Sequence, residues 1–265
     1  MVAAPTRRGS RCVTNTRKTC NVPDRQILVE SREFRNRLTH VNAVTPPRSR
    51  LAIEIVHDFV CPWCYLGVRR LMRALSARQS HGFDITWRPF LLNPDMPRVG
   101  MSRFDYVVRK FGGEERARRL YAAVTQLGNG EGLDFHFERV IHIPSSVDAH
   151  RLVGWAHRFG RATEMVEALF AAHFSDGRDI GDAATLVSIA VGIGLDELQA
   201  GAYLRSREGA DIVHGENLRA HRLGISGVPC FVIGDRMAVS GAQEPEVFHR
   251  LLDIASIEMA DYVIG

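Results

Sequence analysis

Cys61-Pro62-Trp63-Cys64 sets two thiols one helical turn apart, a spacing that serves either dithiol–disulfide exchange or half of a metal site. Exchange requires one sulfur held as thiolate and a second within bonding reach. The residues ahead of the pair, 51–57 (LAIEIVH) followed by Asp58-Phe59-Val60, read as a strand and its exit. Those behind it begin a helix, since Leu66, Val68, Leu71, Met72 and Leu75 recur at helical intervals between Arg69, Arg70 and Arg73. Cys61 therefore falls where unpaired backbone N–H groups and the helix dipole favour an anion, and is the expected attacking thiolate. Cys64, a turn into the helix and less exposed, is expected to resolve the mixed disulfide. Pro62 suits a first helical turn because its missing N–H costs nothing there, and Trp63 offers an apolar rim for a substrate chain. A zinc site needs two further ligands. No second C-x-x-C and no close histidine pair follows at ribbon or finger spacing, and His136 and His142, six apart, fit no compact motif and read as surface residues. No metal is expected.

The elements that must position this pair follow from periodicity. The helix runs to about residue 77 and ends by His81-Gly82, and the alternating run 83–90 (FDITWRPF) is a second strand, parallel to the first. Residues 94–215 lack convincing strands and carry helical patterns at 104–111, 114–127, 147–159, 163–174, 182–191 and 195–205, with Asp182 placed to cap the helix that begins at Ala183. The glycine-rich stretch 128–132 is a turn and not a phosphate loop. Strands return at 228–233 and 236–240 around the hairpin signal Gly234-Asp235, and a helix starting at Glu244-Pro245-Glu246 closes the chain. The order β-α-β, a block of helices, then β-β-α is an α/β plan: a thioredoxin-like domain over 50–93 and 216–265, with an all-helical domain inserted over 94–215.

Charge separates the ends of the chain. Residues 1–50 hold eleven Lys/Arg against three Asp/Glu, whereas the whole chain has a net charge of +4, so the remaining residues are net acidic. A nucleic-acid partner needs its positive footprint on the folded part, and none is expected. The stretch 1–49 reads as a basic, disordered leader; it has no apolar h-region, only superficially resembles an organellar transit peptide, and points to a cytoplasmic protein. Apolar stretches fall well short of the roughly 20 residues that cross a bilayer, so no membrane association is expected. Five cysteines in 265 residues are too few and too uneven for a disulfide scaffold; Cys12 and Cys20 lie in the leader and Cys230 stands apart from the pair.

The second chemical feature is Gly227-Val228-Pro229-Cys230-Phe231-Val232, where a proline enters a strand at the loss of a ladder donor. In a thioredoxin-like plan a cis bond before Pro229 leaves the Val228 backbone free to pair with an extended substrate beside the cysteines; the alternative is a trans proline capping the strand. Cys230 reads as a plain buried thiol, with an alternative disulfide or modification as the rival reading. Asp58 is placed either to accept a proton near the pair or to cap the helix entrance. His150 and Arg151 could face the cleft, Arg151 holding a carboxylate such as that of glutathione or else capping a helix. A buried carboxylate on the first strand has no clear candidate, since Ile55 faces that region and Glu54 is the nearest acid.

Five ordered motifs carry a family resemblance: Asp58-x-x-Cys61-Pro62-Trp63-Cys64-Tyr65-x-Gly67, Trp87-Arg88-Pro89-Phe90-x-Leu92-Asn93-Pro94, Ala149-His150-Arg151-Leu152, Gly227-Val228-Pro229 and Val239-Ser240-Gly241-Ala242-Gln243. On these the chain resembles the DsbA family, in its FrnE-like branch, over about 51–260. The resemblance implies a thioredoxin fold with an inserted helical domain, attack by Cys61, resolution by Cys64 and a cis Pro229 at the substrate edge. It implies no bound cofactor, with glutathione as a possible co-substrate. The chain departs from relatives at Ser145-Ser146, where they often carry Asn-Thr, and at Cys230, where they usually lack a thiol.

The function expected is thus thiol–disulfide oxidoreduction acting on protein or small-molecule thiols and disulfides. Two alternatives stand beside it. Glutathione-dependent hydroxychromene-carboxylate isomerases and kappa-class transferases share the inserted-helix plan but typically carry Ser at the position of Cys61; a redox-sensing or chaperone-like binding module would need no turnover.

Overall fold

A computed structural model describes residues 50–78 and 82–264; Cys12, Cys20, the leader and His81 lie outside the described residues. Strand β1 (Arg50–His57) takes the central place of the sheet because its apolar side chains Leu51, Ile53, Ile55 and Val56 are buried. It is followed by helix α1 (Pro62–Ser76) and strand β2 (Gly82–Pro89), which pairs with β1 in parallel from Arg50–Gly82 to His57–Pro89. The last two strands, β5 (Cys230–Ile233) and β6 (Met237–Ser240), complete a four-stranded sheet in the order β2-β1-β5-β6, with β5 antiparallel to both neighbours. Gly234 and Asp235 turn the hairpin with φ of 63° and 57°, the doubly left-handed pair of a type I′ turn.

Between β2 and β5 lie strands β3 (Met101–Ser102) and β4 (His142–Ile143) and helices α2 (Arg103–Phe111), α3 (Glu114–Asn129), α4 (Val147–His157), α5 (Ala162–Phe174), α6 (Ala183–Gly192), α7 (Glu197–Arg205) and α8 (Ala210–Arg222). Helix α9 (Pro245–Ile264) ends the chain. The α/β plan expected from the sequence is the one observed. Asp182 caps α6 through the Thr185 N–H, at 2.8 Å.

Three features differ from the sequence reading. The pair β3–β4 stands where no strand was expected; two residues each are too short to show an alternating pattern. Helix α8, absent from the reading, runs across the 215/216 boundary set there. Its Val213, Asn217 and Ala220 are buried while Ile212 and Leu218 are exposed, so its apolar residues do not lie on one stripe. Arg70, placed on the polar face of α1, is 4 % exposed and instead ties α1 to the loop after β6, donating to Ala242 O at 2.9 Å and pairing with Glu131 at 3.0 Å and Glu244 at 2.9 Å.

The faces of the sheet are unequal. Phe231, with Ile53 and Ile55, belongs to the main core together with α1, α9 and the aromatic side chains of α5. Cys230 belongs to a separate, smaller cluster with Val56, Phe90, Ala220 and Ile225. Successive strand residues point to opposite faces, which is why neighbours 230 and 231 enter different clusters.

Candidate active site

Cys61 is the N-cap of α1, held in extended backbone at φ −102° and ψ 109°, and Pro62 opens the helix. The Cys61 N–H donates to Asp58 O at 3.2 Å, and its carbonyl accepts the Cys64 N–H at 3.0 Å, so the chain turns from strand exit to helix on the cysteine itself. Both cysteines are thiols in this structure. Cys61 is 5 % exposed and lines a cavity of about 150 Å³, whereas Cys64 is 0 % exposed and does not. Burial pushes the Cys64 thiol well up from its ordinary pKa, and the Cys61 sulfur beside it adds to the effect. A thiol kept protonated and out of solvent is a poor attacking group but suits a second displacement that follows bond formation at its neighbour.

The peptide bond before Pro229 is cis. The Val228 carbonyl oxygen lies 3.7 Å from the Cys61 sulfur, within hydrogen-bond range for a thiol, and Val228 sits ahead of the first ladder pair at Cys230–Val56. The backbone of residue 228 is thus beside the sulfur and outside the sheet pairing. Trp63 is half-buried and lines the same cavity as Cys61 and Pro62.

Beneath the cysteines lies a buried polar layer. The Asp58 carboxylate accepts from the Leu92 N–H at 2.7 Å and the Val60 N–H at 3.4 Å, fixing the loop after β2 against the entrance to α1. Burial works to raise its pKa, but His150, the Ser146 side chain and the Leu92 N–H outweigh that and hold the carboxyl below its ordinary value. His150 Nε2 stands 3.7 Å from Asp58 Oδ1, an ion-pair distance rather than a hydrogen bond. Its ring contacts His57, with centroids 5.0 Å apart. His57 is fully buried, and desolvation with the nearby His150 lowers its pKa to about 3, so it is neutral near pH 7. Ser146, at the altered Ser145-Ser146 position, is buried and one of the groups that holds Asp58 ionised.

Other singled-out residues fall elsewhere. The Arg151 guanidinium binds the carbonyls of Tyr203, Ser206 and Glu208 at 3.0, 3.0 and 2.7 Å and the Asp148 carboxylate at 2.6 Å, which closes the end of α7, the capping role that stood beside a ligand-carboxylate role in the sequence. Cys230 sits in the small cluster on the far face from α1, so its sulfur is not gathered with Cys61 and Cys64. Glu54 pairs with Arg88 at 2.5 Å and Arg219 at 3.4 Å. His136 lies between Asp134 and Glu138, at 2.9 and 2.8 Å. Among the described residues no group of three or more His, Cys, Asp or Glu side chains is placed to hold a metal ion, and no helix is long and apolar enough to cross a membrane.

Sequence reasoning missed His57 and His173. His57 ends the strand run one residue before Asp58, a histidine directly after the buried Ile55 and Val56, which is the signal that could have marked it. His173 lies on the apolar face of α5 between Ala172 and Phe174 and carries no such mark.

Residues 52–253 match the model of the DSBA-like thioredoxin domain. A probable DsbA oxidoreductase from Streptomyces coelicolor superposes with a TM-score of 0.72 at 33% identity, covering 79% of this chain and 91% of that one. The cytosolic disulfide reductase DsbM of Pseudomonas aeruginosa, solved with glutathione, superposes at 0.58 and 19% identity over 77% of this chain and 98% of its own. YwbO of Bacillus subtilis is 23% identical over 201 residues, 76% of this chain and 94% of YwbO.

Proposed function

The chain belongs to the DSBA-like thioredoxin domain family, and from that premise we propose that it is a cytoplasmic thiol–disulfide oxidoreductase of the FrnE-like branch that cycles Cys61 and Cys64 between dithiol and disulfide. The observation that carries the reading is the Cys61 thiol at the head of α1, 3.7 Å from the Val228 carbonyl oxygen. A sulfur there meets an incoming disulfide on one side and an open backbone edge on the other.

In the reductive direction the Cys61 thiolate attacks a substrate disulfide, forming one S–S bond as the substrate S–S bond breaks and a substrate thiolate leaves. Cys64 then gives up its proton and displaces the second substrate thiolate, leaving the Cys61–Cys64 disulfide. Oxidation of a substrate dithiol is the reverse. Asp58, ionised and close enough to act on the Cys64 thiol, is the acceptor assigned to the Cys64 proton, with His150 against it. Val228 and Pro229 hold an extended substrate, Trp63 and Pro62 border it, and residues 94–215 form the inserted helical domain over the cleft. The glutathione with which the Pseudomonas neighbour was solved supports glutathione as a co-substrate; no resident cofactor is required.

The test is equilibration in glutathione buffers of graded ratio, followed by acid quench, alkylation and peptide mass mapping. The reading expects reversible passage between two free thiols and one Cys61–Cys64 disulfide, together with turnover of a disulfide substrate. A pair that never joins, or that joins without turnover, overturns it. The isomerase alternative expects activity to survive Cys64→Ser; the exchange cycle expects it to collapse.

A further inference from the structure

The cavity next to Cys61 has a shape and polarity that the exchange cycle leaves unused. Its walls are aromatic, Tyr106, Tyr121, Phe137 and Phe174, with Tyr121 and Phe137 stacked at 4.2 Å between centroids. At about 150 Å³ it has the size of an apolar cavity that takes up one benzene ring, and it is too small for a folded loop. Two polar features interrupt the apolar wall. His173, 1 % exposed, lines the cavity with a ring Nδ1 that has no hydrogen-bond partner among the described residues. Its burial lowers its pKa to about 4, so the ring is neutral near pH 7 and offers a hydrogen-bonding atom without charge. At the outer edge stand two cations. Arg103 is already held by Glu114, at 2.8 and 3.2 Å, whereas Lys110 makes no ion pair among the described residues and only reaches Asn93 Oδ1 at 3.5 Å. An exposed ammonium at the lip of an aromatic slot is placed for the anionic end of a ligand whose ring lies inside.

Resting on the exchange reading above, we propose that this cavity is a substrate subsite for a small disulfide bearing one aromatic ring with a carboxylate, the ring enclosed by Tyr106, Tyr121, Phe137 and Phe174 and the carboxylate at Lys110. The Cys61 sulfur bonds to the sulfur attached to the ring, the substrate S–S bond breaks, and the other half leaves as a thiolate. Cys64 then displaces the aryl thiolate. The substrate gains two electrons, the cysteine pair loses two, and an external dithiol reductant restores the pair.

The test uses the full chain and 4-(methylthio)benzoate, a thioether that cannot exchange, beside uncharged thioanisole. Turnover of bis(2-hydroxyethyl) disulfide, driven by a dithiol, is measured with each, and binding is read independently by saturation-transfer NMR. The expected result is competitive inhibition by the carboxylate, at least about tenfold stronger than by thioanisole, as one charge-assisted contact supplies. Lys110→Gln brings the two inhibition constants together. Val140→Trp, which fills the cavity, removes NMR-detected binding of both; if that variant does not fold, Ile143→Phe serves in its place. Turnover that proceeds with no binding of 4-(methylthio)benzoate overturns the subsite alone, and an unchanged preference in Lys110→Gln overturns the placement of its carboxylate. Absence of turnover overturns the parent reading instead.

Discussion

Gly67 stands so close to Pro229 that a methyl group on its Cα would lie 3.0 Å from the proline Cγ and 3.1 Å from the Phe231 ring. The Ala242 Cα, a backbone atom, would be 3.3 Å away on a third side. This contact sets the distance between α1 and the loop that carries Val228. Gly67→Ala is expected to destabilise the fold by roughly 1–3 kcal/mol, as overpacking does, and to slow disulfide exchange by moving Val228 away from Cys61. Urea unfolding and exchange rate are the measurements. A variant as stable and as fast as the parent would mean that the loop is positioned by something else.

His57 gives the fold a pH dependence whose sign can be worked out. In the folded protein its pKa is about 3, against an ordinary 6.5. The unfolded chain takes up a proton as pH falls below 6.5 while the folded one does not, so stability is full above that value and drops toward pH 3. Between pH 7.5 and 5 the loss is on the order of 2 kcal/mol. His173, lowered to about 4, adds a comparable loss over the same interval. Asp58, held below its ordinary pKa, adds a further loss only at more acid pH. Urea midpoints across this range are expected to fall with pH in the parent and about half as steeply in His57→Leu.

Arg70 and Glu131 form an ion pair with both side chains almost fully enclosed, at 3.0 Å. Removing only the cation leaves the carboxylate dependent on the more exposed Arg73, at 2.6 Å. Arg70→Met is expected to cost about 3 kcal/mol, and adding Glu131→Gln to recover part of it. A double-mutant cycle on unfolding free energies reads the coupling. Additive effects would contradict the pairing.

Cys230→Ala is expected to leave the exchange rate and the reduction potential of the Cys61–Cys64 couple unchanged, because the sulfur sits in a cluster on the opposite sheet face. Stability should fall by about 1 kcal/mol from the lost packing. A shifted potential would show that the third sulfur communicates with the pair.

What could be read from the sequence was local. The strand-to-helix junction at Cys61, the parallel strand pair, the Gly234-Asp235 turn and the Asp182 cap each follow from a few contiguous residues, and each is present in the fold. The face assigned to Cys230 was not legible, because strand alternation says that residues 230 and 231 point apart but not which of them meets α1. Arg70 was misjudged, and the choice between a ligand and a capping role for Arg151 stayed open, for a related reason. An arginine amid apolar residues looks exposed until the carbonyls that receive it, at 203–208 and 242–243, are brought near by the fold. The cavity beside Cys61 is assembled from residues between 60 and 174, and no window of sequence contains it.

The central claim is that Cys61, and no other thiol of the chain, makes the bond to substrate. Cys64→Ser removes the resolving sulfur, so a disulfide substrate should remain attached, and peptide mass mapping of the trapped adduct identifies the site. The account predicts a stable mixed disulfide on Cys61; an adduct on Cys230, or none after substrate exposure, would contradict it.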